Sequence, residues 1–336
     1  MDLEGRVRWY YLVHPLSEST KSFFDASYLD DGRVLFGGGN TMPPTIVNIG
    51  AEIEWQGPDP ASDGAYDHHV EMLDNGQVLA LASVHHRRAG QTWKGFEVLE
   101  IDPADNSFVW QFHSQAALDA GFIEQPEEGT SDPWHANAVA WVDDSLGASL
   151  WISLRDENAL LRVDRDTGEP TMLLGLRQGY NLYDADGQGA ISTDWFAGQH
   201  APEFEAPRLL MYDNGYGNGQ RSWSRALDLE IDHENKDAWV RWEYLEDDWH
   251  ERQGGDVDRL PNGNVLITMG NSYGSDTGHT VDDVTSIVEV VPEGTLGGDV
   301  VWRLQFTDVA DGVYRSQRID GCDMFANARY CADLTF

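Results

Sequence analysis

The chain has 336 residues, 41% of them apolar, and a formal net charge of −36 with only three lysines, Lys21, Lys94 and Lys236. Such an acidic chain excludes nucleic acid as an expected partner, because binding phosphates requires a basic face. A run of about 18 apolar residues, the length that crosses a membrane, is absent, so no membrane span is expected.

Short predicted strands recur along the chain in a two-part pattern. One part follows an Asp-Gly or Asn-Gly turn, as in DDGRVLFGG, DNGQVLALA and PNGNVLITMG, where these pairs tolerate the backbone angles of tight turns. The other part is a strand ending in Trp or another apolar residue, and its copies carry Trp9, Trp55, Trp110, Leu173 or Leu174, Trp242 and Trp302. Further strands rich in β-branched residues lie between them.

The period of this pattern predicts the fold class. The Trp-type strands follow one another at intervals of about 46 to 70 residues, which is typical of β-propeller blades. Six such strands predict an all-β, six-bladed β-propeller. We expect residues 1–336 to form a single domain, with the segment 312–336 closing the ring. The best helical candidate is SQAALDAGFI, within a connection between strands.

Three histidines occupy matching places in the repeat. His68 precedes the Asn-Gly turn of the second unit, and His135 and His200 lead into the corresponding strands of the third and fourth, at spacings of 67 and 65 residues. Equivalent positions of neighbouring blades lie around one axis, so we expect the three imidazoles to face one another at the channel mouth. Arg155 ends the strand after His135, and a guanidinium beside imidazoles favours an oxyanion such as sulfate or phosphate.

Two further motifs involve residues outside this ring. The first half of a calcium-binding loop is matched by Asp184, Asp186, Gln188, Gly189 and Ile191. The twelfth place holds Trp195 instead of the expected bidentate acid, so the alternatives are a bound structural Ca²⁺ and a polar turn. Near the C-terminus, Cys322 and Cys331 have no zinc-site spacing around them and predict a disulfide, which implies an oxidising compartment.

The motifs DPWHANAVAW, ISLRDENALLRVDRDTGE and AGQHAPEF followed by LLMYDNG resemble, in order and spacing, the bacterial aryl sulfotransferases that use an aryl sulfate donor. The resemblance extends over most of the chain and implies a six-bladed propeller. It implies that His200 takes up the sulfuryl group as a sulfohistidine. It also implies that His135 lines the sulfate pocket and that Arg155 holds the sulfate oxygens.

The remaining assignments also follow from the resemblance. His68 matches another active-site histidine, with His69 as the alternative. Asn137, Gln199 and His69 are candidate substrate-binding residues. In the fifth unit, HERQGGDVD offers no obvious group for the acceptor, and His250 is the nearest candidate.

The implied activity is ping-pong transfer of a sulfuryl group from an aryl sulfate to a phenol, without a required cofactor. The alternatives are an aryl sulfate hydrolase that uses the same site and a non-catalytic ligand-binding propeller. The expected partners are small phenols and aryl sulfates. The N-terminus has no signal-peptide pattern, so we expect a periplasmic or secreted protein whose leader is absent from this numbering. The alternative location is the cytoplasm of a salt-adapted organism.

Overall fold

The computed structural model describes residues 11, 25–29, 32–39, 42–60, 63–88, 90–176, 178–189, 194–216, 221–247, 249–270, 285–306 and 313–319. In this part of the chain the structure is almost entirely β. Helix is confined there to α1 (Ser114–Asp119), which confirms the helical candidate, and to short 3-10 turns such as Arg155–Glu157. None of the described helices is long and apolar enough to cross a membrane.

The strands form five sheets, and each takes four or five strands that are close together in the sequence. The first sheet contains β1 (Asp25–Leu29), β2 (Arg33–Gly37), β3 (Thr45–Asn48) and β4 (Ile53–Gln56). The second contains β5 (Tyr66–Met72), β6 (Val78–Arg88), β7 (Gln91–Asp102) and β8 (Ser107–His113). The third contains β9 (Ala136–Asp144), β10 (Gly147–Leu154), β11 (Ala159–Asp164) and β12 (Pro170–Gly175).

The last two sheets have the same antiparallel core. The fourth contains β14 (His200–Glu205), β15 (Arg208–Asp213), β16 (Arg225–Asp232) and β17 (Asp237–Tyr244), and β13 (Asn181–Tyr183) pairs in parallel with β17 at its edge. The fifth contains β18 (Asp256–Arg259), β19 (Val265–Met269), β20 (Thr285–Pro292) and β21 (Gly298–Phe306). Successive antiparallel sheets of this kind are the building blocks of a β-propeller.

The expected number of six blades is wrong for the described residues, which contain five sheets. The prediction counted every Trp-ending strand as one blade. Five of these strands are indeed the fourth long strand of a sheet, namely β4, β8, β12, β17 and β21. The sixth, with Trp9, precedes β1 and lies outside the described residues. Counting complete four-strand groups is therefore the better measure of blade number.

The chain divides into two compact units. One comprises residues 1–85, 96–112 and 317–336, and the other comprises residues 86–95 and 113–316. The expectation of a single domain stays a prediction. Within the first unit, the Tyr28 N–H of β1 donates to Gln317 Oε1 at 2.8 Å, so the C-terminal segment meets the first sheet, whereas ring closure by 312–336 remains a prediction.

Each unit has its own hydrophobic core. In the first, Leu35, Val78 and Leu99 are fully buried between the first and second sheets. In the second, the run LLMY of β15 is buried on both faces: Leu209 and Met211 belong to one core cluster, and Leu210 and Tyr212 belong to the next. Side chains alternate along a strand, so an unbroken apolar run indicates a strand covered on both sides.

Candidate active site

The first strand of several sheets begins with a distorted backbone, and the candidate histidines lie there. His68, His135 and Ala201 all have positive φ, at 59°, 43° and 45°, and Gly255 has φ 92° at the start of the fifth sheet. The β5–β6 and β14–β15 ladders change register at these positions. Residues other than glycine adopt such angles at a cost that folding must offset, and they cluster at functional sites. His68 and His135 are themselves the distorted residues, and His200 directly precedes the distorted Ala201. The three histidines therefore occupy matching places in their own sheets, as the repeat predicts.

The His200 side chain is buried, and both of its ring nitrogens have hydrogen-bond partners. Nδ1 lies 2.7 Å from Asn214 Oδ1 and 3.0 Å from the Gly198 carbonyl oxygen. Nε2 accepts the N–H of Gly254 at 3.1 Å. Because Nδ1 faces two acceptors and Nε2 faces a donor, these contacts fit the neutral imidazole with its proton on Nδ1. The lone pair is then on Nε2.

Asn214 is held so that its amide oxygen faces His200. Its Nδ2 donates to the carbonyl oxygens of Gly254 at 3.0 Å and Glu251 at 3.2 Å, which leaves Oδ1 to accept from the imidazole. Ser224 Oγ donates to the Asn214 carbonyl oxygen and accepts the N–H of Glu251. The glycine-rich segment HERQGGDVD, which had offered no obvious group, therefore contributes backbone atoms that orient the candidate nucleophile.

The residue before His200 connects the third and fourth sheets. Gln199 is fully buried, and its Nε2 donates to Ser153 Oγ at 3.0 Å and to the Ala159 carbonyl oxygen at 3.1 Å. Asn137 is also fully buried and donates from Nδ2 to the Gln199 carbonyl oxygen at 2.7 Å. Gly198 donates its N–H to Asn158 Oδ1 at 2.8 Å. Two predicted substrate-binding residues thus contact each other and support the loop that ends at His200.

His135 and Arg155 are brought together by the backbone. The Arg155 N–H donates to the His135 carbonyl oxygen at 3.2 Å, and Arg155 in turn accepts the N–H of Asn158, the residue bonded to Gly198. His135 Nδ1 lies 2.8 Å from Asp132 Oδ2, and Arg155 Nε donates to Asp156 Oδ1 at 2.7 Å. The structure therefore joins His135, Arg155 and the His200 loop through consecutive contacts within one unit.

His68 and His69 lie in the other unit, so the predicted ring of three histidines stays a prediction. Both are buried, and both contact carboxylates: His68 Nδ1 lies 2.6 Å from Asp67 Oδ1, and His69 Nδ1 lies 3.2 Å from Asp25 Oδ2. The choice between them stays open. The sequence did not indicate that carboxylates contact these imidazoles. Asp25 is far from His69 in the chain. Asp67 and Asp132 are close to their histidines, but no motif marks them as hydrogen-bond partners.

A buried network of charged side chains also holds the loop that ends at His200. Both carboxylate oxygens of Asp213 lie 2.5 Å from Arg221 Nη2, and Arg225 Nε donates to Oδ2 at 2.8 Å. Oδ1 also accepts the N–H of Ala197 at 3.0 Å, three residues before His200. Burial works to raise the pKa of Asp213, but the charges of Arg221 and Arg225 outweigh it and hold the pKa below its usual range. Asp213 therefore stays ionised and fixes the loop.

Among the carboxyl groups near His200, Glu251 has the most strongly shifted pKa. Its side chain bonds the Tyr212 hydroxyl, which in turn accepts Trp249 Nε1–H at 2.9 Å. Burial raises the pKa of Glu251 to about 8, although its hydrogen bonds with Tyr212 and Gly270 act in the opposite direction. At neutral pH the folded protein thus holds Glu251 mainly protonated.

We expect Glu251 to make the protein less stable as the pH rises from about 5 to about 8. Over this range the folded state keeps the Glu251 proton that the unfolded state has lost, and stability then falls by up to about 1.4 kcal/mol per pH unit. Urea unfolding at several pH values should show this slope in the wild type and not in Glu251→Gln. The exposed control Glu128→Gln should keep it, and an unchanged slope in Glu251→Gln would contradict the assignment.

The loop with the calcium-like pattern forms a turn closed by its own aspartate. Asp184 Oδ1 accepts the N–H groups of Asp186 at 3.0 Å and Gln188 at 2.8 Å. Trp195 is buried in the core, and Ile191 lies outside the described residues. Among the described side chains no group of three or more His, Cys, Asp or Glu is placed to hold a metal ion. Calcium binding stays a prediction, as does the disulfide, because Cys322 and Cys331 lie outside the described residues.

The chain is thus an all-β protein of the β-propeller type. A buried histidine, held by hydrogen bonds, begins the first strand of one of its sheets. The arylsulfotransferase (ASST) family model matches residues 1–315. The chain therefore belongs to the arylsulfotransferase family, which confirms the resemblance seen in its motifs. No curated protein matches the chain at a significant level.

Solved structures give a fold likeness at low identity. A protein of unknown function from Bacteroides caccae is 12% identical, with a TM-score of 0.52, and the match covers 89% of this chain and 87% of that one. A functionally unknown protein from Desulfotomaculum acetoxidans is 11% identical, with a TM-score of 0.43, over 88% and 74% of the two chains. At these identities the first likeness supports the fold alone.

Proposed function

We propose that this protein transfers a sulfuryl group from an aryl sulfate to a phenol through a covalent sulfohistidine at His200. The family supports an aryl sulfotransferase activity. The observation that carries the mechanism is the set of contacts around His200, in which Asn214 Oδ1 accepts a hydrogen bond from the protonated Nδ1 and Nε2 keeps a lone pair. A neutral imidazole in this tautomer is the form able to attack sulfur.

In the first half-reaction, His200 Nε2 forms a bond to sulfur while the bond from sulfur to the aryl oxygen breaks. The departing phenolate takes a proton from an imidazole, and His135, in the same unit as His200, is the proposed donor. In the second half-reaction the same imidazole accepts the proton of an incoming phenol, whose oxygen attacks sulfur and releases His200. Attack requires Nε2 to give up the hydrogen bond from Gly254, and this backbone N–H is then available to a sulfuryl oxygen.

The transferring group bears negative charge on its oxygens, and fixed donors stabilise such charge most effectively in a site that excludes water. Arg155 is the proposed donor, supported by its backbone connection to His135. The amides of Asn137 and Gln199 support the loop in the free protein, and their contact with substrate is part of the proposal. The chain's acidity favours a periplasmic or secreted location.

Incubation with an aryl sulfate, with and without a phenol, tests the transferase assignment. We expect phenol release that depends on the phenolic acceptor and produces a new aryl sulfate. Release that is independent of the acceptor would indicate a hydrolase. If the wild type consumes no aryl sulfate, the ligand-binding alternative would replace the enzymatic one.

We expect Asn214→Ala to reduce kcat by about 10- to 100-fold with little change in KM, since residues that orient a reacting group act at this level. Loss of Asn214 Oδ1 leaves only the longer contact with the Gly198 carbonyl oxygen to hold the proton on Nδ1, so part of the population carries it on Nε2, where it blocks attack. Nitrogen-15 NMR of the imidazoles should show a single tautomer of His200 in the wild type and a mixture in the variant. Asn75→Ala, in an exposed turn, is the matched control. An unchanged kcat and tautomer would contradict the positioning role.

A further inference from the structure

Tyr216 and Arg252 form a stacked pair at the surface of the unit that contains His200. The Arg252 guanidinium lies over the Tyr216 ring, 4.3 Å from its centroid, and donates to the Tyr216 hydroxyl. The Tyr216 residue is 41% exposed, and Arg252 is half-buried. A ring and a guanidinium that both meet solvent can together recognise an aromatic ligand that carries a negative charge.

Arg252 belongs to the segment that contacts Nε2 of His200. It is two residues before Gly254, whose N–H donates to Nε2 at 3.1 Å. The carbonyl oxygens of Glu251 and Gly254 both accept from Asn214 Nδ2, so the segment is held beside the imidazole on either side of the arginine. Two residues of chain span about 7 Å at most, so the Arg252 backbone lies within about 10 Å of Nε2. A phenol whose oxygen attacks sulfur on Nε2 can therefore extend its far end to this long side chain.

Tyr216 packs against the loop that ends at His200. A Cβ at Gly198 would lie 2.2 Å from the Tyr216 carbonyl oxygen and 3.5 Å from the Tyr216 Cβ, so the two residues are in direct contact. The Gly198 carbonyl oxygen itself lies 3.0 Å from His200 Nδ1. Tyr216 also follows Asn214, the other group at Nδ1, by two residues. Both members of the pair are thus joined to His200 through residues that touch its ring.

The charge of Arg252 is available to a ligand. In the part of the chain that the structure describes, no carboxylate forms an ion pair with Arg252, and its polar partner is the neutral hydroxyl of Tyr216. The carboxyl group of the preceding residue, Glu251, instead bonds the hydroxyl of the buried Tyr212. The chain has 58 acidic and 22 basic residues, so an arginine without an acidic partner is a local positive charge in a negative surrounding. Guanidinium groups favour carboxylate, sulfate and similar anions.

We propose that Tyr216 and Arg252 bind the phenol that accepts the sulfuryl group and select phenols with an anionic substituent, with the phenol ring beside Tyr216 and the substituent at Arg252. The inference rests on the proposed function for the reaction and for the place of the sulfuryl group on His200. The segment HERQGGDVD, in which the sequence offered no obvious group for the acceptor, then supplies Arg252. Binding energy from such a remote substituent improves the positioning of the reacting oxygen.

Two acceptors that differ in charge test the selection: 4-hydroxybenzoate, which carries a carboxylate, and the uncharged 4-methylphenol. Arg252→Gln should raise KM about tenfold for 4-hydroxybenzoate alone, because only this acceptor loses a charge-assisted contact. Tyr216→Leu should raise KM for both acceptors about two- to tenfold, since both lose the contact with the ring. Arg241→Gln, where the guanidinium lies over Trp239 on β17, is the matched control and should change neither value. Equal changes in KM for the two acceptors in Arg252→Gln, or a lower kcat with unchanged KM, would overturn the proposal.

Equilibrium binding without a donor separates this inference from the proposed function. Calorimetric titration should show tighter binding of 4-hydroxybenzoate than of 4-methylphenol by the wild type, and Arg252→Gln should abolish this preference. Because the pair borders His200, saturation with 4-hydroxybenzoate should also shift the nitrogen-15 NMR signals of the His200 imidazole. Equal binding of the two phenols by the wild type, or unchanged His200 signals, would overturn the assignment. A preference that depends on Arg252 and shifts the His200 signals, in a protein that consumes no aryl sulfate, would uphold the binding site and overturn the proposed reaction.

Discussion

Replacing His200 by asparagine is expected to lower the rate of phenol release from an aryl sulfate by about four orders of magnitude or more, as removal of a covalent nucleophile does in other enzymes. The variant loses the Nε2 lone pair, and no other described side chain shares the contacts with Asn214 and Gly254 that orient it. The rate is best measured in a single turnover with enzyme in excess, because the first half-reaction then limits the signal.

His85→Asn is the matched control, since the His85 side chain is 45% exposed, and its rate should equal that of the wild type. Circular dichroism and an unfolding curve establish whether His200→Asn is folded, and His200→Gln provides a second replacement with a longer side chain. A folded His200 variant that keeps more than a tenth of the wild-type rate would contradict the role of His200 as the nucleophile.

Asp213→Asn is expected to destabilise the protein by about 3 to 5 kcal/mol, the cost of removing one partner from a buried ion pair. The side chains of Asp213, Arg221 and Arg225 are almost fully buried, so the variant leaves two guanidinium groups without a carboxylate between them. Glu243 forms an ion pair with Arg225 and has only a smaller electrostatic effect on Arg221, so it does not replace Asp213 there. Urea unfolding monitored by tryptophan fluorescence measures the loss.

The control for Asp213 is Glu230→Gln, which breaks the pair with Arg241. Both side chains of this pair are more than a third exposed, and surface pairs contribute about 0 to 1 kcal/mol. The stabilisation from Asp213 depends on pH in a direction that its pKa determines. Because the folded pKa of Asp213 is lowered, its stabilisation is present above the ordinary pKa of an aspartate and is lost as the pH falls through the lowered value. Similar losses in Asp213→Asn and Glu230→Gln would show that the network contributes little.

Asp213 also connects stability with activity. Its Oδ1 accepts the N–H groups of Ala197 and Gly215, which lie on the two segments that carry His200 and Asn214. The same substitution should therefore lower kcat under conditions in which the protein remains folded. This double effect is expected of a residue that fixes the loop rather than one that touches the substrate.

Local patterns in the sequence were sufficient to predict the strands and the place of the histidines. The Asn-Gly turns before β6 and β19 require a positive φ, which Gly76 and Gly263 adopt at 82° and 85°, and a side chain at either glycine would meet no atom. His135 directly precedes β9, and His200 opens β14, as the repeat indicated. These features depend on residues close together in the chain, so the pattern contains them.

The partners of the histidines could not be predicted in the same way. Asn214 and Gly254 are 14 and 54 residues from His200. Asn214 belongs to the motif LLMYDNG, but nothing in the sequence connects its amide with the imidazole. The tautomer follows only from their placement around the ring. Asp213 is part of the quoted motif LLMYDNG, but its role depends on Arg221 and Arg225, which the sequence does not connect with it.

The measurement that tests the central claim most directly is the intact mass of the wild-type protein after addition of an aryl sulfate without a phenol. We predict a gain of one sulfuryl group that maps to His200 after proteolysis at alkaline pH, disappears when a phenol is added, and is absent from His200→Asn. Release of phenol from the donor without any modified protein, or modification at another residue, would contradict the sulfohistidine mechanism.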